Sequence, residues 1–321
     1  MDPLTHGLVG VAISAFSGTA VSIDNPYTIG AMLGAMAPDL DFVIRLFKDD
    51  AAYMTHHRGI SHSIPFLVGF SVAITVILSQ IGFLNFGFLS TLLWTFLGAL
   101  SHTGLDILNS YGAKLFRKKR KANILTLYDP VITLVGLGLI LNGRNSIVYL
   151  IVGLLTVLTY LMIRKLSRNQ AKKQIQNILD LKFSNSEVHV KPSLKAFYKW
   201  DFVAHSSTHD IVGQYNPWKI FSPGKECILI LKVFDVEDPY YYEQFRASNV
   251  GEIFTSFSPN LHIMVTHDLE NNQIVLRATD LRYFIKEKFM HHATLILDGE
   301  MQFVSSYLHP YSLNKAIPIG Q

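Results

Sequence analysis

Tyr53-Met-Thr-His-His-Arg-Gly-Ile-Ser-His-Ser63 is the stretch around which the rest of the chain is organised, and the apolar run Ile64–Leu84 follows it directly. The stretch carries three imidazoles and one guanidinium. Imidazole is the commonest metal-binding side chain near neutral pH, and such polar groups are costly beside a membrane segment unless they have a role. We therefore predict that His57 and His62 contribute to a metal site at the end of a membrane helix. A merely polar helix end at the membrane interface is the plainer alternative.

Composition limits the protein classes to be considered. Hydrophobic residues make up 49% of the 321 residues and charged residues only 16%, which is typical of a membrane protein or of a membrane half joined to a soluble half. A formal net charge of +4 is too small to predict nucleic-acid binding, and no nucleic-acid partner is expected. Cys227 is the single cysteine, so a metal site must use His, Asp or Glu. The N-terminus lacks the basic start of a secretory signal, and its first apolar run is expected to be retained.

Apolar runs predict the helices of the first half, and they are Gly7–Val21, Ile29–Ala37, Ile64–Leu84, Phe86–Leu108, Val131–Leu141 and Ile147–Ile163. The first two are short for membrane spans, which need about 20 residues, and they predict a buried hairpin or partial crossings. Their small residues allow helices to approach closely. Ile64–Leu84 and Phe86–Leu108 are predicted to be full transmembrane helices.

Loop charges predict the orientation of these helices. The basic segments Arg117–Lys121 and Arg164–Lys173 should both face the cytoplasm. Counting crossings from these segments brings scattered polar residues to the cytoplasmic face, namely His6, Asp39, Asp41, His57, His62, His102, Asp106 and Asp129. Because the loop charges alone decide this orientation, the gathering of polar residues at one depth supports a shared site.

The pattern changes to strands from about Glu187 onward. Predicted strands cover residues 188–190, 197–203, 228–234, 261–265, 273–278, 294–297 and 302–307, with a helix within Tyr240–Ser256. The predicted fold class is α+β, with an N-terminal multi-span α-helical membrane domain followed by a C-terminal β-rich cytoplasmic domain. The predicted domains are 1–165, the helical membrane domain with the metal site; 166–186, a basic amphipathic linker helix; and 187–321, the β-rich domain.

The spacing of carboxylates and imidazoles predicts metal ligands. His102 and Asp106 lie four residues apart on a helix, so both project from one face. A lone pair of this spacing is a weak signal, and other residues strengthen it. Asp39 and Asp41 flank one residue in a turn, where they either bind ions or cap the segment Phe42–Phe47. The candidate metal ligands are His6, Asp39, Asp41, His57, His62, His102 and Asp106.

A ligand set of this kind indicates hydrolytic chemistry. Imidazoles and carboxylates without thiolates suit zinc, manganese or iron(II), with zinc our first expectation. There are more candidates than one tetrahedral ion needs, which favours a site of one or two divalent ions that activate a water molecule. Arg58 and Asp41 are the candidate catalytic residues. Arg58 would hold a phosphate or stabilise charge in the transition state; its alternative is an interaction with lipid phosphate.

Four motifs together resemble the YdjM/YbcI-type family of membrane-bound metal-dependent hydrolases, over about residues 1–165. They are Asp2-Pro-Leu-Thr-His6, Pro38-Asp-Leu-Asp41, His57-Arg-Gly-Ile-Ser-His-Ser63 and His102-Thr-Gly-Leu-Asp106. The later half resembles the YfhP-like branch through Tyr198-Lys-Trp-Asp-Phe202 and Thr279–Tyr283.

More distantly, the order of ligands is similar to that of zinc-dependent phospholipase C and the single-strand nucleases, which are helical phosphodiesterases with a zinc cluster. The chain lacks their metal-binding N-terminal Trp, and no second His-x-x-x-Asp pair follows Asp106 in the membrane half. This departure from their pattern favours one or two ions over three.

These observations lead to a functional expectation. The chain should be a multi-pass protein of the bacterial inner membrane that hydrolyses a phosphoester in a lipid or lipid-linked substrate. Its metal site and C-terminal domain should face the cytoplasm. The alternative is a non-catalytic membrane regulator or scaffold of the envelope or stress response, whose β domain docks a cytoplasmic protein partner. DNA binding by the basic loop is a third reading, but membrane topology already explains that loop.

Overall fold

The computed structural model of the chain describes residues 2–39, 60–82, 87–110, 112–114, 116, 120–142, 147–183, 185–194, 196–218, 227–285 and 288–320. Helices come first and two sheets follow, so the chain mixes helix and sheet as predicted. The described residues up to 169, with 191–198, form one compact unit, and residues 170–190 and those from 199 onward form another. The three domains predicted from the sequence remain a prediction.

The first unit is helical. Its helices are α1 (Pro3–Ser14), α2 (Pro26–Met36), α3 (Ile64–Gln80), α4 (Phe88–Leu108), α5 (Pro130–Asn142) and α6 (Ile147–Asp180), the last of which continues into the second unit. Short 3₁₀ turns cover Ala15–Ser17 and Ile60–His62. The segment Phe42–Phe47 lies outside the described residues.

Polar caps decide where the first two helices begin. The Asp2 side chain accepts a hydrogen bond from the backbone N–H of Thr5 at 3.0 Å, and Asn25 accepts one from that of Tyr27 at 2.9 Å. In each case a proline follows the cap, and its fixed φ suits the first helical position. The cap at Asp2 places His6 on the first turn of α1, facing the interior.

Glycines allow α1, α2 and α4 to approach each other closely. A Cβ added to Gly98 or to Gly10 would collide with the carbonyl oxygen of Ala31, and one added to Gly34 would collide with that of Thr95. Only a residue without a side chain permits such backbone-to-backbone contact. The close approach expected from the small residues is confirmed.

Two of the described helices, α4 and α6, are long and apolar enough to cross a membrane, while α1, α3 and α5 are shorter apolar helices. The helix expected over Ile64–Leu84 ends at Gln80, and Gly82 follows with a φ of 113°. Its 17 residues fall short of the predicted full span. The multi-span membrane domain therefore stays a prediction.

The helix α6 runs unbroken for 34 residues. The sequence had suggested an apolar span ending at Ile163 and a separate basic helix after it. The two are continuous because the residues beyond Ile163 are mostly good helix formers and include neither glycine nor proline. Many apolar side chains in the first half of α6 are exposed, including Ile151, Leu154 and Leu158. An apolar helix exposed in this way suits a lipid environment.

The second unit contains two sheets with the strand orders β1-β2-β3-β4 and β11-β10-β9-β6-β5, and a β7-β8 hairpin. Its elements are β1 (Glu187–Pro192), β2 (Trp200–His205), β3 (His209–Tyr215), β4 (Ile228–Asp235), α7 (Pro239–Ala247), α8 (Asn249–Phe257), β5 (Leu261–Asp268), β6 (Gln273–Asp280), β7 (Phe284–Ile285), β8 (Lys288–Phe289), β9 (His292–Asp298), β10 (Phe303–His309) and β11 (Ile317–Ile319). The seven predicted strands are present, with shifted ends. The predicted helix is two helices, because Ser248 caps α8 through the N–H of Gly251.

Each sheet buries its own apolar core. The end of α6 packs Ile175 and Leu179 against Trp200 and Phe202 of the first sheet. The helices α7 and α8 pack Phe245 and Phe254 against the second sheet, where the apolar side chains of β5, β6, β9 and β10 meet.

Buried histidines should make the second unit sensitive to acid. Burial lowers the pKa of His291, His292 and His309 below 6.5. A histidine whose pKa is lower in the folded than in the unfolded protein contributes stability above its unfolded pKa, and loses it as the pH falls through that value. We expect the thermal midpoint of unfolding to be a few degrees lower at about pH 5.5 than at about pH 7.5.

The midpoint can be followed by the fluorescence of the buried Trp200 after Trp94 and Trp218 are replaced by phenylalanine. Burial alone would raise the pKa of Asp280, but the guanidinium of Arg282 lowers it overall. This carboxylate therefore adds a second loss of stability, but only below about pH 4. An equal or higher midpoint at the lower of the two pH values compared would contradict the prediction.

Candidate metal centre

The helix α4 places His102 and Asp106 one turn apart on the same buried face. Neither side chain is exposed, and His102 Nε2 lies 3.7 Å from Asp106 Oδ2. This is the geometry that the i, i+4 spacing predicted. A buried imidazole and a buried carboxylate at this distance form the base of a candidate site.

A backbone carbonyl determines the role of Nδ1, the second ring nitrogen of His102. His102 Nδ1 lies 2.7 Å from the carbonyl oxygen of Ala35, which only accepts hydrogen bonds. Nδ1 therefore donates, and Nε2 of the neutral ring presents a lone pair to the cluster. Metal-binding histidines are commonly held in this way by a carbonyl or a carboxylate. The glycine contacts between α2 and α4 bring the Ala35 carbonyl within reach.

His62 and Asp39 complete a group of four donors. His62 Nε2 is 3.1 Å from His102 Nε2 and 3.4 Å from Asp106 Oδ2. Asp39 Oδ1 is 3.4 Å from His102 Nε2 and 4.0 Å from His62 Nε2. One donor atom from each of the four residues lies within 4.8 Å of the other three. Such a group of nitrogen and oxygen donors fits a divalent metal ion.

His6 adds a fifth donor from α1. Its ring stacks on that of His102 with centroids 3.7 Å apart, and its Nε2 lies 3.3 Å from Asp106 Oδ1. The side chain is fully buried, yet neither ring nitrogen makes a hydrogen bond within the part of the chain that the structure describes. A buried polar group that makes no hydrogen bond is costly. An ion close to the His6 ring would remove that cost.

Asn109 supports the site from the end of α4. Its Nδ2 donates to Asp106 Oδ1 at 2.8 Å, and its Oδ1 accepts from the N–H of Gly112 at 3.3 Å. Residues that orient a metal ligand typically contribute 10–100-fold to affinity.

Replacing Asn109 by alanine is expected to weaken metal binding by about tenfold or more, because Asp106 loses its orienting donor. Competition with a chelator of known affinity measures the change. Asn142→Ala removes an exposed amide at the end of α5 and should leave the affinity unchanged. Equal affinity in Asn109→Ala and the natural chain would contradict this role.

The structure brings most of the predicted ligands together, and the rest lie outside the described residues. The structure brings together His6, Asp39, His62, His102 and Asp106, whereas Asp41, His57 and Arg58 lie outside the described residues. Asp129, which was not a candidate ligand, begins α5 by accepting a hydrogen bond from the N–H of Ile132, and it also accepts one from the Tyr160 hydroxyl at 2.8 Å. Sequence reasoning missed the Ala35 carbonyl, which reaches His102 only through a tertiary contact, and Asn109, which contacts Asp106 locally.

Comparison with known proteins extends these observations. The profile of the YdjM inner membrane protein family matches residues 1–171, a range that contains all five clustered donors. The chain belongs to the YdjM inner membrane protein family. This YdjM-family chain also matches the profile of the YfhP C-terminal alpha/beta plait domain over residues 241–317. Family membership supports a membrane location.

A relative extends the similarity over the whole chain. The uncharacterized protein YfhP of Bacillus subtilis (strain 168) is 26% identical over 325 aligned residues, which cover 96% of this YdjM-family chain and 94% of the relative. The predicted resemblance to the YdjM and YfhP groups is confirmed. No solved structure matches the chain.

Proposed function

We propose that this chain is an integral membrane metal-dependent hydrolase that cleaves a phosphoester in a lipid or lipid-linked substrate. The observation that carries the proposal is the buried group of Asp39, His62, His102 and Asp106, with donor atoms within 4.8 Å of one another. Dense, buried groups of imidazoles and carboxylates are costly in an apolar setting, and a bound cation balances that cost.

Each residue of the group has a proposed role in binding the metal. His62 and His102 offer nitrogen lone pairs, while Asp39 and Asp106 supply the negative charge that holds a cation. We propose zinc, as one or two ions, with manganese and iron(II) as the alternatives. A bound divalent ion would supply a water molecule of lowered pKa and positive charge beside the phosphoryl oxygens.

Two further residues are proposed to act on the substrate. Arg58 precedes His62 by four residues, and its guanidinium would hold a phosphate oxygen in a bidentate contact. Asp41 follows Asp39 by two residues and would serve as a catalytic carboxylate that also binds metal. Both residues lie outside the described part of the chain, and their assignment rests on their place in the sequence.

The position of the donors favours a lipid headgroup as substrate. His62 lies directly before α3, whose exposed surface includes the apolar side chains of Phe66 and Val68. A donor group beside an apolar helix surface is suited to a molecule with one polar and one apolar end. We propose that this end faces the cytoplasm, as the loop charges indicate.

Metal analysis combined with an activity assay tests this function. The full chain in mild detergent should contain zinc or a related ion by elemental analysis. It should release phosphate or alcohol from a phosphoester, either as bis(p-nitrophenyl) phosphate or within phosphatidylglycerol vesicles. Removal of the ion by a chelator should abolish turnover, and its return should restore it. Metal-independent turnover, or metal without turnover on either substrate, would reject the proposal.

A non-catalytic regulator or scaffold is the second candidate, because the second unit has a sheet core of its own, separate from the metal centre. A regulator that acts through the C-terminal domain would lose function when residues 187–321 are deleted. It would keep function when His102 and Asp106 are replaced. The hydrolase predicts the opposite response to the replacements.

A further inference from the structure

A cleft in the second unit contains histidines that the proposed function does not use. Its volume is about 300 Å³. The polar residues that line it are Glu187, His189, His205, Ser206, Asp210, Glu237, Asp238, Tyr242 and His262. No lysine or arginine is among the lining residues within the described part of the chain. The wall of this cleft is therefore acidic, with imidazoles distributed among the carboxylates.

Asp210 on β3 binds two of these imidazoles, one from its own sheet and one from the other sheet. Its Oδ1 accepts a hydrogen bond from His205 Nδ1 on β2 at 2.6 Å, and its Oδ2 accepts one from His262 Nδ1 on β5 at 2.8 Å. Burial alone would raise the pKa of Asp210, but the two histidine bonds lower it below its usual range. The carboxylate is therefore ionised at neutral pH and fixes both rings.

Each of the two histidines therefore uses Nδ1 in its bond to Asp210, which leaves Nε2 for another partner. Because an ionised carboxylate only accepts hydrogen bonds, each Nδ1 carries the proton, and Nε2 of each neutral ring has a lone pair. The Nε2 atom of His205 is buried and makes no hydrogen bond within the described residues. A clamp that only joins the two sheets would explain the Nδ1 bonds but would leave this nitrogen without a role.

The surrounding charges indicate which ligand would meet that nitrogen. Carboxylates without neighbouring cationic side chains attract a positively charged ligand. Imidazole nitrogen prefers zinc and related transition metals, whereas calcium and magnesium prefer oxygen donors alone. A carboxylate that orients a histidine through its Nδ1 proton is a common support for such metals.

We propose that this cleft binds a divalent transition-metal ion, with His205 Nε2 as the first ligand and His262 as the second. The donors here are more widely spaced than those of the metal centre in the first unit. Binding therefore needs further donors from the rim, where His189, with a side chain that is 41% exposed, and the exposed Glu237 are the candidates. The site is independent of the proposed hydrolase activity.

Metal titration of the full chain in mild detergent tests the site. The titration uses Co²⁺ or Zn²⁺ alone, on a chain whose first site is disabled by His102→Ala and Asp106→Ala. We expect one ion per chain, with the visible absorption of Co²⁺ bound to nitrogen. Adding His205→Asn, which keeps an N–H donor toward Asp210 at the position of Nδ1 and removes Nε2, should weaken binding by more than about tenfold. Asp210→Asn should weaken it by a similar factor.

The test includes a matched control variant and results that would overturn the proposed site. His209→Ala removes a partly exposed histidine that pairs with Asp235 outside the cleft, and it should leave the titration unchanged. If His205→Asn binds Co²⁺ as tightly as its parent, the site is overturned. The same follows if the disabled chain binds no ion at all. Because the hydrolase depends on His102 and the cleft does not, failure of either proposal leaves the other intact.

Discussion

Replacing His102 by alanine is expected to remove bound metal and phosphoesterase turnover together. His102 Nε2 lies within 3.1–3.7 Å of the donor atoms of His62, Asp39 and Asp106, so it contacts all three other members of the group. Loss of a directly bound imidazole should lower metal affinity by more than about 100-fold, since loss of a supporting residue already costs 10–100-fold. Elemental analysis and a phosphoester assay on the same preparation measure both effects.

Ser101→Ala is the matched control for this change. The Ser101 hydroxyl donates to the carbonyl of Gly98, within α4 itself, and alanine is a good helix former. Metal content and turnover should both stay near those of the natural chain. Turnover that persists in well-folded His102→Ala would exclude this metal group from the chemistry.

The second large effect is expected from Gly98→Ala. A Cβ at this position would collide with the carbonyl oxygen of Ala31 on α2. Forcing the two helices apart should lower the free energy of unfolding by about 1–3 kcal/mol. It should also weaken metal binding, because the Ala35 carbonyl that orients His102 lies on the shifted segment. Thermal unfolding in detergent and chelator competition measure the two changes.

Gly104→Ala makes the same chemical change on the same helix, and we expect the opposite effect on the free energy of unfolding. No atom lies within 4 Å of a Cβ added there, so the substitution should stabilise α4 by up to roughly 1 kcal/mol through helix propensity. Equal effects of the two substitutions would show that close packing of α2 on α4 is not what positions the site.

The sequence predicted the clustered donors better than it predicted the groups that contact them. The spacing of His102 and Asp106 alone places both on one helix face, and the positive charge of two loops placed distant donors at a shared depth. The Ala35 carbonyl could not be predicted, because every residue has a carbonyl and only the packing of α2 on α4 selects this one. Asn109 lies three residues after Asp106, a spacing too common to identify a supporting residue.

Two elements of the secondary structure could not be predicted either. The strand β3 escaped prediction because Gly213 and the polar ends of the segment weaken its pattern, although the Phe202 ring occupies the space that a side chain at Gly213 would need. The continuous α6 escaped prediction because a change from apolar to basic residues looks like a boundary. Helix propensity does not change at that point, so the backbone continues.

The start of α1 has a practical consequence for anyone who purifies this protein. The Asp2 carboxylate caps the helix, and its backbone N–H donates to the carbonyl of Leu127 at 3.4 Å, only four residues before His6. Replacing Asp2 when an affinity tag or fluorescent fusion is added would remove this cap and loosen the turn that carries His6. Handles for isolation or imaging should therefore leave this first turn unchanged, so that a lost ion is not mistaken for a property of the native chain.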